Sequence, residues 1–253
     1  MRFERHVIIA GNWKMHKTIE EAIAFVKDLL PLIKDAKTKV YLAVPFTCLR
    51  PVAEAAGSAL VVGAQNIYEA DQGAFTGEIS AKMVKDAGAR FVILGHSERR
   101  RLFNETDEMI NKKVHRAYSE NLQPLLCVGE TAEERKQGHS AAVLKLQLKE
   151  NLKGISLDQA EKLLIAYEPI WAVGTNDTAT PAIIDEAHKE CREALKSIFN
   201  VKIAQEIPII YGGSVTAENG KSLIDEAEID GVLVGGASLS VKTFSQIVNY
   251  QTR

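Results

Sequence analysis

The sequence predicts an α/β fold, a (β/α)8 barrel forming a single domain over residues 1–253, and three observations predict it. Eight short β-rich runs recur along the chain, almost continuously apolar rather than alternating, as parallel strands covered on both faces are. Segments of helical periodicity lie between them. Repeated βα units force right-handed parallel crossovers, and eight of them in 253 residues match the size of a closed barrel. No linker rich in Pro, Gly or Ser and no break in composition divides the chain.

The first run, HVIIAGNW (6–13), leaves Asn12 and Lys14 at its end. Thr18 and Glu21 then have the spacing of a capping box, and Ala22, Phe25, Val26, Leu29 and Leu30 make one helical face. The second run is KVYLAVP (39–45), and the third, LVVGAQN (60–66), ends in Gln65 and Asn66. The fourth, FVILGHS (91–97), leads into His96, Ser97 and Glu98, and the fifth is LQPLLCVGE (122–130). The sixth, KLLIAYEP (162–169), stops at Glu168. Beyond it Thr180 can cap a helix, Pro181 suits the first helical position, and Ile184, Ala187, Cys191, Leu195 and Ile198 fall on one side. The seventh run, IPIIYGGS (207–214), and the eighth, DGVLVGGAS (230–238), both end in glycine pairs. Val241, Phe244, Ile247 and Val248 give the last helix its apolar face. The rival architecture, an open doubly wound sheet, usually carries GxGxxG after its first strand; here that place reads Gly11-Asn12-Trp13-Lys14. Periodicity alone leaves the two open.

Composition narrows the class of partner. The chain is 46% hydrophobic and 25% charged with a net charge of -2, an ordinary globular balance that favours neither nucleic acid nor membrane. The one cationic cluster, Arg99 to Arg101, reads as a solvated helix start. Cys48, Cys127 and Cys191 are odd in number and far apart, which suggests a reducing compartment and offers no CxxC metal pair. The apolar stretch Val7 to Ala10 is too short for a signal-peptide core, so a cytoplasmic location is expected.

In a barrel the carboxyl ends of all the strands share one rim, so the polar residues that end the runs converge there. Gly212-Gly213-Ser214 and Gly235-Gly236 would let backbone N–H groups approach an anion at helix N-termini, a phosphate cradle; a single pair would mean only a tight turn. His96 at a helix start is expected to be neutral, and alone it reads as a structural histidine. Alone, Lys14 is a surface cation, Asn12 a turn former and Glu98 a helix-start acid. Glu168 ends a buried strand, fixed by Pro169 and followed by Ile170, Trp171, Ala172 and Val173, so desolvation should raise its basicity. By itself it reads equally as a salt-bridged core acid. The loop after it, IWAVGTNDTAT, could fold over a ligand and expel water.

Together AGNWK (10–14), ILGHSERR (93–100), AYEPIWAVGT (166–175), YGGSV (211–215) and VGGAS (234–238) closely resemble the triosephosphate isomerase family, in order and over nearly the whole chain. The resemblance implies the TIM-barrel fold and interconversion of dihydroxyacetone phosphate and D-glyceraldehyde 3-phosphate through an enediol(ate), in glycolysis and gluconeogenesis, with no metal or organic cofactor. Under it Glu168 is the base, neutral His96 polarises the carbonyl, Lys14 stabilises developing negative charge and Asn12 orients the substrate. Glu98 supports Lys14. Backbone N–H groups of Gly174, Ser214, Gly235 and Gly236 hold phosphate, Tyr211 and Ser214 latch the lid, and Ser97 is a supporting residue. Cys127 is implied to be a packing residue near the site. The long loop NIYEADQGAFTGE is implied to enter a second subunit, with Thr76 near that subunit's Asn12 and Lys14, giving a homodimer.

Two departures stand in the lid. Where many family members read GTGK, this chain has Gly174-Thr175-Asn176-Asp177, and Val173 replaces a frequent isoleucine. The resemblance thus implies altered lid motion more than altered chemistry. A metal-dependent epimerase needs His and carboxylate ligands on several strand ends, and only His96 of the six histidines has such a place. A noncatalytic phosphate binder would need only the glycine turns.

Overall fold

The structure, a computed structural model, describes residues 6–172 and 179–252. Its centre is a closed parallel barrel of eight strands in chain order. They are β1 (Ile8–Asn12), β2 (Lys39–Val44), β3 (Val61–Ala64), β4 (Phe91–Leu94), β5 (Gln123–Val128), β6 (Leu164–Tyr167), β7 (Ile209–Tyr211) and β8 (Gly231–Val234). Each falls inside its apolar run. Closure comes from β1, which pairs with β2 from Ile8↔Lys39 and with β8 from Ile8↔Gly231, and it excludes the open sheet. Gly231 is needed at that seam: its φ is +145° and a Cβ there would stand 1.9 Å from the Ile8 carbonyl oxygen.

Alternate strand residues divide between two cores. Ile8, Ala10, Tyr41, Ala43, Phe91, Ile93, Leu125, Cys127, Leu164, Ala166, Ile210 and Leu233 fill the barrel interior. Their neighbours, such as Ile9, Leu42, Val92, Leu126, Ile165 and Val232, pack outward against the helices. With both faces covered, a strand has no polar side to show, which explains the unbroken apolar runs.

Helix Ile19–Ile33 begins at Thr18 with the anticipated capping box, and it buries Ala22, Phe25, Val26 and Leu29; Ile33 is buried where Leu30 is only partly so. Helix Pro181–Ile198 is capped by Thr180 and buries Ile184, Ala187, Cys191 and Leu195, but His188 and Arg192 as well. Arg192 donates to Asp230 Oδ2 at 3.0 Å and to the Ala204 carbonyl at 2.6 Å, tying this helix to β8. The cluster Arg99 to Arg101 is not the solvated helix start expected. Arg99 pairs with Glu105 at 3.0 Å and Arg100 with Asp107 at 2.6 Å, both arginines being half-buried, and only Arg101 is exposed. All three cysteines are buried and free. No described helix is long and apolar enough to cross a membrane.

Candidate active site

The rim at the carboxyl ends of the strands gathers most of the polar residues that end the runs. Asn12 and Lys14 follow β1, and Lys14 sits at φ +53°, a left-handed conformation costly for a residue with a Cβ. Two amides hold it there: Lys14 N donates to Asn12 Oδ1 at 2.9 Å, and Gln65 Nε2 donates to the Lys14 carbonyl at 2.8 Å. The Lys14 ammonium then reaches Glu98 Oε1 at 2.6 Å. Glu98 therefore lies beside Lys14, as the family resemblance implies.

His96 caps helix Ser97–Leu102, its Nδ1 accepting from the Glu98 N–H at 3.2 Å. The proton consequently belongs on Nε2, which faces Glu168 Oε1 at 3.0 Å. The other carboxylate oxygen, Oε2, accepts from Ser97 N at 3.0 Å. Glu168 is 2% exposed and His96 5%. Burial works to raise the Glu168 pKa, yet His96, the Ser97 N–H and the Cys127 thiol together hold it below the ordinary carboxyl value. The anticipated rise in basicity is therefore absent while the carboxylate rests on these donors. For His96, burial works downward and Glu168 overcomes it, so the imidazole has a raised proton affinity. A second proton would have to sit on Nδ1, facing the Glu98 N–H, and that contact opposes it.

Across from this pair lie the glycine turns. Asn12, Lys14, His96 and Glu168 share a cavity of about 280 Å³ with the segments from Gly212 to Thr216 and from Gly235 to Ala237. Gly212 makes room for the acid, since a Cβ there would stand 2.8 Å from Glu168 Cγ. Tyr211 is buried, and burial pushes its phenol up to about 12 against the pull of the Ser214 N–H. Its hydroxyl lies under the turn, where a Cβ on Gly213 would meet it at 2.0 Å. Val173, Gly174, Thr175, Asn176 and Asp177 lie outside the described residues, and so do the lid departures and one of the four phosphate-binding positions. Thr76 is on the surface, in a loop exposed from Asp71 to Glu78.

Three contributors were missed in the sequence. Glu130, fully buried at the end of the fifth run, accepts from the Tyr167 hydroxyl at 3.0 Å and from Trp171 Nε1 at 2.9 Å, anchoring the segment that follows Glu168. Arg135 stacks over the Trp171 ring at 4.8 Å. The signal for Glu130 was present, because it ends an apolar run as Glu168 does. Asn219 braces the strand-seven turn, donating from Nδ2 to the Ser214 carbonyl at 3.0 Å and accepting from Thr216 N at 2.8 Å.

A closed eight-stranded barrel with an acid, an imidazole and an ammonium converging over two glycine turns defines an enzyme of the (β/α)8 class. Comparison with known proteins narrows the class. Residues 7–251 match the family model described as triosephosphate isomerase. The chain is 51% identical over 246 residues to the triosephosphate isomerase of Protochlamydia amoebophila, covering 97% of this chain and 93% of that protein. It is 50% identical over 247 residues to that of Clostridium botulinum strain Okra, covering 97% of this chain and 100% of the relative. The crystal structure of the triosephosphate isomerase of Bartonella henselae superposes with a TM-score of 0.89 at 37% identity, covering 98% of this chain and 100% of the other. The chain belongs to the triosephosphate isomerase family, and it is an isomerase.

Proposed function

We propose that this isomerase, a single barrel domain, interconverts dihydroxyacetone phosphate and D-glyceraldehyde 3-phosphate through an enediol(ate), a step of glycolysis and gluconeogenesis. The observation that carries the reading is the Glu168–His96 contact of 3.0 Å, buried on the wall of a cavity whose other side is glycine turns. In this arrangement Glu168 is the base that moves the proton between the two carbons. As it leaves His96 and the Ser97 N–H for the substrate, burial remains while these lowering partners are lost, so its basicity rises when it is needed. Neutral His96, protonated on Nε2, polarises the carbonyl. Lys14 stabilises the charge that develops on oxygen, Glu98 and Ser97 support them, and Asn12 orients the substrate.

Main-chain N–H groups of Gly174, Ser214, Gly235 and Gly236 hold the phosphate, with Tyr211 and Ser214 latching the lid. Phosphate is the nonreacting handle, and its binding energy can drive closure and alignment. A positioned base supplies about 10²–10⁴-fold in rate and a single preorganised donor about 10²–10³-fold, so the residues must act together. The chemistry needs no cofactor, because a carbon acid, a base and oxyanion donors complete it. We further propose a cytoplasmic homodimer joined through the loop around Thr76, with neither nucleic acid nor membrane as partner.

A coupled assay of triose phosphate interconversion tests the reading. Turnover is expected in the parent, with a loss of about 10²–10⁴-fold in Glu168→Gln. Binding of a triose phosphate analogue without interconversion would make the protein a binder instead.

A further inference from the structure

The main chain of Glu168 rests on a residue that an outer helix holds from behind. On helix Ser140–Asn151, Gln147 accepts from Gly129 N at 2.9 Å through its Oε1 and donates from Nε2 to the Gly129 carbonyl at 3.0 Å. Both ends of one side-chain amide thus engage the two main-chain groups of one residue. Gly129 in turn lies against the proposed base: a Cβ there would stand 1.8 Å from the Glu168 carbonyl oxygen. On either side of it, Glu168 N donates to the Val128 carbonyl at 2.8 Å and Ile170 N to the Glu130 carbonyl at 3.0 Å. The segment Val128–Glu130 is the floor on which Glu168 stands, and its middle residue is the one with the freest backbone.

We infer that Gln147 is a positioning residue for the isomerisation, setting the place of Glu168 by clamping the Gly129 peptide groups; this rests on the reading of Glu168 as the base. A glycine has no side chain to pack; the peptide that carries its N–H is also held at the Val128 carbonyl by Glu168 N, but the one donor to its buried carbonyl among the described residues is the Gln147 amide, so without that amide the Gly129 peptide groups lose most of what orients them. Those groups would turn to find other partners, and the Glu168 main chain would move with them. Misplacing a reacting group by about 1 Å can cost on the order of 10²-fold in rate. The Gln147 amide bonds Gly129 and none of the proposed phosphate-binding positions Ser214, Gly235 and Gly236, so its loss is expected to act on kcat more than on phosphate binding.

The test uses Gln147→Met, close in shape without hydrogen bonds, and Gln147→Glu, which keeps the acceptor for Gly129 N but loses the donor. Gln147→Met is expected to lower kcat roughly tenfold to a hundredfold with KM changed by less than about twofold, and Gln147→Glu to fall between it and the parent. Adding Gln147→Met to Glu168→Gln is expected to leave the residual rate unchanged, since the effect runs through the carboxylate. The inference is overturned by an unchanged kcat in Gln147→Met, or by the same fractional loss in both backgrounds. Failure of both single variants to fold also overturns it, because the amide is then structural only. Full turnover by Glu168→Gln alone removes the base, and this inference falls with that reading.

Discussion

At Glu168 burial and hydrogen bonding pull in opposite directions, and the balance makes the resting carboxylate a stabilising group. Because its folded pKa is depressed, its contribution is present above the unfolded carboxyl value, about 4.3, and is lost as pH falls through the lower folded value. His96, with a raised pKa, works in the opposite sense. It contributes below its unfolded value, about 6.5, and that contribution fades as pH rises through the folded value. Denaturant unfolding across the acid range should show the stability gap between parent and Glu168→Gln narrowing as the pH drops; a gap constant with pH would contradict this origin. Sterics give a second expectation at the same place. Gly212→Ala puts a methyl 2.8 Å from Glu168 Cγ, so the acid must shift. A loss of about 10²-fold in kcat is expected, with unfolding midpoints close to the parent's; unchanged kcat would mean that the acid tolerates the methyl.

The elements show what was legible in the sequence and what was not. All eight strands lie within apolar runs because a strand buried on both faces leaves no other pattern. Barrel closure was legible through the number of βα units and the family resemblance but not through periodicity, since the β1–β8 pairing is a contact between the two ends of the chain. Helix Pro181–Ile198 divides in the same way. Its apolar residues were found by spacing, yet His188 and Arg192 repeat the four-residue step from Ile184 and are just as buried. Their polarity argued for the surface, and only distant partners reverse that: the Glu228 carbonyl at 2.9 Å for His188 and Asp230 for Arg192. Burial pushes the His188 imidazole down to about 4, so it is neutral inside this helix. At the rim, Asn12, Lys14, His96 and Glu168 were legible as run ends, whereas Asn219 and Gln147 were not, because each touches only main chain. Arg192→Met is a test of helix anchoring. It leaves Asp230 buried with the Ile209 N–H at 2.9 Å but without the guanidinium. A loss of about 3–5 kcal/mol in unfolding free energy is expected; a loss below about 1 kcal/mol, the range of exposed pairs, would show that the bridge is not needed.

At the scale of the whole molecule, four of the exposed large apolar side chains follow the first, third and fourth strands. Met15, 94% exposed, follows Lys14; Phe75, 42% exposed, precedes Thr76; Leu102 and Phe103, 61% and 63% exposed, end the helix that carries Glu98. Single exposed apolar residues are common on any protein, but Met15 adjoins Lys14 and Leu102 closes the helix that carries Glu98. A second copy covering them would remove water from both the apolar atoms and the Lys14–Glu98 pair. That gives the proposed dimer a catalytic consequence: the strained turn at Lys14 would be completed from outside the subunit. Phe75→Asp places a charge in the middle of such an interface, where an unpaired buried carboxylate is costly. Sedimentation at micromolar concentration should then show a monomer, and the same sample should lose about 10²-fold or more in kcat as the Lys14 loop loosens. A monomeric Phe75→Asp protein with parental turnover would separate the oligomer from the chemistry and leave the Asn12 and Gln65 hydrogen bonds as sufficient support for Lys14.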